Sequence, residues 1–219
     1  MKFKFKSQQY QADAADAVAS VFEGQLNQGA AVYLRDLGRE QQGQQEIDYG
    51  GAEGYANAPV ALGPEALLQN VRAVQRRNQL HESAELFRGM GACQLDVEME
   101  TGTGKTYVYT KTMFELNRRY GWCKFIIVVP SVAIREGVNK SLQITADHFF
   151  EQYHKSIRFF VYDSDNLTEL DTYSQSSDIN CMVINMQAFN ASMRRVPRTR
   201  LPASSSMSAT NSAAAGPST

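Results

Sequence analysis

Apolar residues in "YQADAADAVASVFEG" recur at helical intervals: Ala14, Val18, Val21 and Phe22 fall on one face, and Gly24 marks a stop. A second helical pattern opens at Pro64 and runs through "PEALLQNVRAVQRRNQLHES". Proline fits a first helical turn because the N–H it lacks has no partner there. "KFIIVVP" is different: unbroken, apolar and closed by proline, it predicts a strand buried on both faces. "IRFFVY" and "NCMVINM" predict two further strands, and "SVAIREGVNKSLQITADHFFEQYH" predicts a helix. "CQLDVEME" predicts a strand that leads into a glycine loop, followed by a helix from Lys105 to about Tyr120 that Gly121 ends. Strands alternating with helices predict an α/β fold, a parallel sheet with helices on both faces.

Two stretches break the pattern. Residues 28–63 are rich in Gly, Gln and Ala, and predict an irregular insertion with a short strand at "AAVYL". Large apolar residues almost vanish after Leu201, where Ser, Ala, Thr and Pro dominate. Such a segment buries too little surface to offset its ordering entropy. The expected organisation is therefore one domain over 1–193 and a disordered Ser/Ala-rich tail over 194–219.

The loop "METGTGKT" carries the chemistry. Backbone N–H groups around Gly102 and Gly104 can point at phosphate oxygens, and glycine leaves room for that close approach. The positive end of the following helix adds to the attraction. Lys105 would reach the β- and γ-phosphates of ATP, and the Thr106 hydroxyl would ligate Mg²⁺. Thr101, Gly102, Thr103 and Gly104 complete the expected cradle. The general pattern places a glycine where this chain has Met99.

Composition narrows the class. The chain has 22 Lys and Arg against 23 Asp and Glu, a net charge of −1, so a uniformly basic coat is excluded while a local patch stays open. Cys93, Cys123 and Cys181 match no metal-ligand spacing and are expected to be reduced core residues. "MKFKFKSQQY" lacks the apolar core of a signal peptide, and no run approaches the ~18 apolar residues of a membrane span. The expectation is a soluble, cytoplasmic protein without a membrane partner.

The stretches "QQYQADAADAV", "METGTGKTYVYTKTMFELNRRYGWCKFIIVVPSVAIREGV" and "INMQAFN" together resemble the Res (restriction) subunits of type III restriction enzymes, which are superfamily 2 helicase-like ATPases. The resemblance covers roughly the first 190 residues. It implies a RecA-like P-loop NTPase lobe that binds ATP and Mg²⁺, contacts duplex DNA, and works beside a methylation and recognition (Mod) subunit. It also implies residue roles. Gln11, after Tyr10, would read the adenine edge, since a side-chain amide both donates and accepts. Ser131 and Arg135 would touch the DNA backbone by hydrogen bond and charge. Asn185 and Gln187 would face DNA as well. The alternative for Ser131 is a helix cap, and for Arg135 a solvated surface side chain.

Parts of such a motor are not visible in the chain. Holding Mg²⁺ and orienting water requires acidic residues at a strand end, an Asp-Glu pair in this family, and the chain contains no Asp-Glu dipeptide. Asp163 and Asp165 follow a predicted strand, but their pattern is that of turn-forming aspartates. Ser208-Ala209-Thr210 mimics a later helicase motif within a Ser/Ala tract that has no preceding strand. A second lobe and a nuclease domain are expected further along the parent enzyme. The change of character after Phe189-Asn190 is what a frameshift or truncated gene would produce. The reading is thus an incomplete first motor lobe, inactive alone. The alternatives are a nucleotide-binding module that does not hydrolyse and an unrelated P-loop NTPase.

Overall fold

The computed structural model describes residues 5–6, 8–34, 53–87, 89, 91–165 and 168–195. In chain order these form α1 (Gln9–Ser20), β1 (Ala30–Leu34), β2 (Glu53–Asn57), α2 (Pro64–Arg77), α3 (Lys105–Tyr120), β3 (Lys124–Val129), α4 (Val132–Tyr153), β4 (Ile157–Val161), α5 (Thr168–Gln175), β5 (Ile179–Asn185) and α6 (Met186–Arg195).

The main sheet has the order β3-β5-β4, all parallel. Its central strand β5 is buried along its whole length, as an apolar strand covered on both faces must be. On one face Ile127 and Val129 of β3, Val183 of β5 and Phe159 of β4 pack against Tyr109 of α3 and Val138 and Leu142 of α4. Lower on that face Phe114 stacks on Phe149, and both meet Ile179. On the other face Tyr173 of α5 meets the Phe160 ring edge-on at 5.6 Å. The expected α/β architecture, helices on both faces of a parallel sheet, is therefore present. Tyr109 lies beside Val129 near the C-terminal end of β3, and Phe114 beside Phe125 near its start. Helix α3 thus runs against the strand direction, which brings its N-terminus to the C-terminal edge of the sheet.

A separate antiparallel pair, β1 with β2, is tied to the main sheet by the side chain of Asn57. Asn57 accepts at Oδ1 from the Cys123 and Lys124 N–H groups, both at 2.8 Å, and donates from Nδ2 to the Lys124 carbonyl at 2.7 Å. It occupies the start of the edge that β3 does not share with β5.

Several expectations need correction. Residues 93–100 form no strand, and Val97 is 47% exposed. A strand exists only with a ladder partner, and among the described residues β3 pairs with β5 alone. Helix α2 stops at Arg77 instead of continuing to Ser83. Its last turn is closed by Asn78, whose side chain donates to the Val74 carbonyl. The chain then folds back, with Gln75 bonded twice to Ser83 and Arg72 donating to the Ser83 and Ala84 carbonyls. The strand expected at "AAVYL" is β1, but its partner β2 lies in a stretch expected to be irregular. Helices α5 and α6 were not expected, and α6 runs on to Arg195 where a tail was expected from 194. The rest of that tail, Ser208-Ala209-Thr210 included, lies outside the described residues. The three cysteines are free: Cys123 and Cys181 are buried, and Cys93 is half-buried. Among the described residues no helix is long and apolar enough to cross a membrane.

Candidate nucleotide site

The loop before α3 is folded by its own backbone. The Glu100 carbonyl accepts from the Thr103 hydroxyl at 2.7 Å and from the Thr103 N–H at 3.4 Å, closing a tight turn. Gly102 and Gly104 both adopt left-handed φ values, +85° and +90°, that other residues reach only with strain. Gly104 is also the N-cap of α3 and provides no side-chain cap. The N–H groups of the first helical turn therefore remain donors for an external anion, at the positive end of the helix dipole.

These features line a cleft of about 500 Å³ together with Gln11, Thr101, Lys105 and Thr106. Lys105 is exposed, and its ammonium has no hydrogen bond or ion pair among the described residues. No atom stands within 4 Å of where a Gly102 Cβ would be, and a Cβ on Gly104 would come 2.4 Å from Gln11 Nε2. Of the seven residues expected at the nucleotide, six line the cleft. The seventh, Thr103, turns its carbonyl to α1 instead, where it accepts from Tyr10 Oη and Gln11 Nε2, each at 3.0 Å. Nothing in the local sequence marks that pairing. Phe5, Lys6, Tyr107, Ser141 and Thr145 complete the wall, and sequence reasoning named none of them.

Among the described residues no acidic side chain lines the cleft, and no cluster of His, Cys, Asp or Glu could hold a metal ion. Thr106, at the head of α3, is among the hydroxyl-bearing residues that line the cleft. Asp163 and Asp165 are exposed and outside the cleft; Asp163 Oδ1 accepts from the Asp165 N–H at 3.0 Å, a turn-forming contact.

Behind the cleft a charged network holds α3. Glu115 accepts from Arg118 at 2.6 Å, from Arg119 at 3.3 Å and from Tyr153 Oη at 2.8 Å. Arg119 also donates to Asp16 of α1 at 2.5 Å, and Arg77 of α2 pairs with the same carboxylate. Burial alone would raise the Glu115 pKa, but the hydrogen bonds from Arg118 and Tyr153 and the arginine charges outweigh it and hold the carboxyl below its usual range. The Arg119 hydrogen bond does the same for Asp16.

The residues expected at DNA sit elsewhere on the same sheet edge. Ser131 follows the end of β3 and Asn185 is the last residue of β5, in register with Val129. Both are caps: Ser131 Oγ accepts from the Ile134 N–H at 3.4 Å, and Asn185 Oδ1 from the Ala188 N–H at 3.0 Å. Arg135 pairs with Glu136 at 3.0 Å, and Gln187 is exposed.

A profile of the family described as "Type III restriction enzyme, res subunit" matches residues 61–210. The match includes the glycine loop and leaves Tyr10 and Gln11 outside. The Res subunit of the type III restriction-modification enzyme EcoP15I of Escherichia coli is 33% identical over 150 residues, which are 63% of this chain and 15% of that protein. The EcoPI Res subunit of Escherichia phage P1 is 32% identical over 149 residues, again 63% of this chain and 15% of the relative. The StyLTI Res subunit of Salmonella typhimurium strain LT2 is 51% identical over 67 residues, 29% of this chain and 7% of that protein. The chain thus spans about 15% of the length of the first two relatives. With two thirds of its residues inside the profile, it belongs to the family of type III restriction enzyme Res subunits.

Proposed function

We propose that this chain is the ATP-binding, DNA-contacting part of the first motor lobe of a type III restriction subunit. The observation that supports it most is the cleft at the head of α3. Two left-handed glycines, an uncapped helix N-terminus and an unengaged lysine converge there. Gln11 and the 101–106 loop hold ATP in this reading, and Thr106 ligates the accompanying Mg²⁺. The caps Ser131 and Asn185 place the N-termini of α4 and α6 side by side on adjacent strands. That pair of positive helix ends suits the phosphates of a DNA strand, with Arg135 and Gln187 beside them. In the intact enzyme this lobe belongs to an ATP-dependent system that moves on duplex DNA and cuts it in concert with a Mod subunit.

The acid-free lining of the cleft favours binding without turnover by this chain alone. The test measures ATP binding and steady-state hydrolysis by the purified chain, with and without Mg²⁺ and duplex DNA, beside Lys105→Ala. The expected result is Mg²⁺-dependent binding and no turnover above the variant. Lys105→Ala removes a charge-assisted hydrogen bond to phosphate and is expected to weaken binding about 10- to 100-fold. Absence of binding overturns the reading. DNA-stimulated turnover that disappears in the variant overturns the inactivity alone and points to Asp163 or Asp165.

A further inference from the structure

The cleft has a second half that the phosphate chemistry does not use. Besides the glycine loop, its wall includes Phe5, Tyr107, Ser141 and Thr145. Tyr107 is the first residue after Thr106, so its ring starts where the phosphates end. It is tied in place from behind. Its hydroxyl is hydrogen-bonded to His148 Nε2 at 2.9 Å, and its ring lies 4.9 Å from that of Phe149, which is fully buried. The His148 ring in turn lies 5.2 Å from Phe5, so three rings from three parts of the chain meet along one side of the cleft.

We propose that Tyr107 is the residue on which the base and ribose of the bound nucleotide pack, and that His148 is a positioning residue that fixes the Tyr107 ring through its hydroxyl. This rests on the nucleotide reading and adds to it the residues that hold the half of the ligand beyond the phosphates. A triphosphate in the glycine loop must extend its nucleoside along a wall of the cleft, and this wall is aromatic with two hydroxyl-bearing residues of α4 beside it. Both hydroxyls are already donated to their own helix: Ser141 to the Gly137 carbonyl and Thr145 to the Ser141 carbonyl. With those two donors occupied, the Tyr107 ring is the surface left for a heterocycle to stack on.

The experiment compares two ligands on the full chain: ATP and inorganic tripolyphosphate, each displacing a fluorescent ATP analogue. Tyr107→Ala is expected to weaken ATP about tenfold and to leave tripolyphosphate within about twofold of the parent. His148→Ala and Tyr107→Phe each break the same hydrogen bond. Each is expected to weaken ATP about threefold, and the double variant no more than either single one. Because tripolyphosphate reports the intact loop, a variant that merely fails to fold binds neither ligand. Equal weakening of both, no weakening of either, or additive effects in the double variant overturns this inference and leaves the nucleotide reading standing. Failure of the parent chain to bind ATP overturns both.

Discussion

The side chain of Gln11 donates from Nε2 to the carbonyl oxygen of Thr103 at 3.0 Å, across 92 positions of sequence. Helix α1 therefore holds the glycine loop directly. The bond also fixes the orientation of the amide. With one of the two Nε2 hydrogens engaged, Oε1 is free to accept, and in the proposed reading it would complement the amino group of adenine and oppose the carbonyl of guanine.

Gln11→Ala is accordingly expected to abolish a preference for ATP over GTP while lowering ATP affinity about five- to tenfold, one hydrogen bond's worth. Its effect on stability is smaller, about 1 kcal/mol, because Tyr10 Oη still donates to the Thr103 carbonyl. Competition binding with both nucleotides and a thermal melt measure the two effects. An unchanged ATP-to-GTP ratio would remove Gln11 from base recognition.

Gly104 is constrained twice. Its φ of +90° disfavours any side chain, and a Cβ would sit 2.4 Å from Gln11 Nε2. Gln11 is only 8% exposed and has little room to retreat. Gly104→Ala is expected to cost about 1–3 kcal/mol of stability and to break the Gln11–Thr103 bond, so its nucleotide phenotype includes that of Gln11→Ala. Gly102→Ala carries the φ strain without a steric neighbour and is expected to be milder. A melt in which the two variants are indistinguishable would contradict the packing described.

What sequence alone reveals follows the range of the forces involved. The loop, α3 and its Gly121 stop, and the apolar strands β3 and β5 are specified by residues a few positions apart and stand where expected, but β3, expected to be buried on both faces, leaves Ile126 and Val128 exposed on one of them. The 93–100 segment has the alternation of a strand, but a strand is completed by its neighbour, and none pairs with it among the described residues. β2 was hidden for the converse reason. "EGYAN" has little strand propensity and is held by β1 and by the three bonds of Asn57. At the site, Lys105 and Thr106 are legible from a motif, whereas Thr103's partner on α1 and the Tyr107–His148 pair arise from packing between distant helices.

The network behind α3 makes stability depend on acid pH. Asp16 and Glu115 have folded pKa values below their ordinary 3.8 and 4.5. In the window below those values the unfolded chain binds more protons than the folded one. Their contribution is thus complete above about pH 5 and lost as pH falls through the depressed folded values. The Tm is expected to drop steeply between about pH 5 and pH 3. Glu115→Gln should melt lower at neutral pH and show a shallower acid decline. An equally steep decline in that variant would assign the acid sensitivity elsewhere.

The last prediction concerns the edge of the sheet. Beyond the stretch that Asn57 occupies, β3 has a strand partner on one side alone among the described residues. On the face toward α5, Ile126 is 49% exposed and Val128 36% exposed. An apolar strand with an open edge is a template for pairing with other chains. Ile126→Lys puts a charge on that edge without removing buried area from the α3–α4 face, where Phe125, Ile127 and Val129 pack. Stability is expected to change by no more than about 0.5 kcal/mol, while the protein concentration at which light scattering begins to rise should increase severalfold. Ile127→Lys, one position along, points its side chain into the core against Val183 and Leu142 and is expected to unfold the domain. If Ile126→Lys proves as damaging as Ile127→Lys, the face of β3 toward α5 is covered, and the open edge is not what limits solubility.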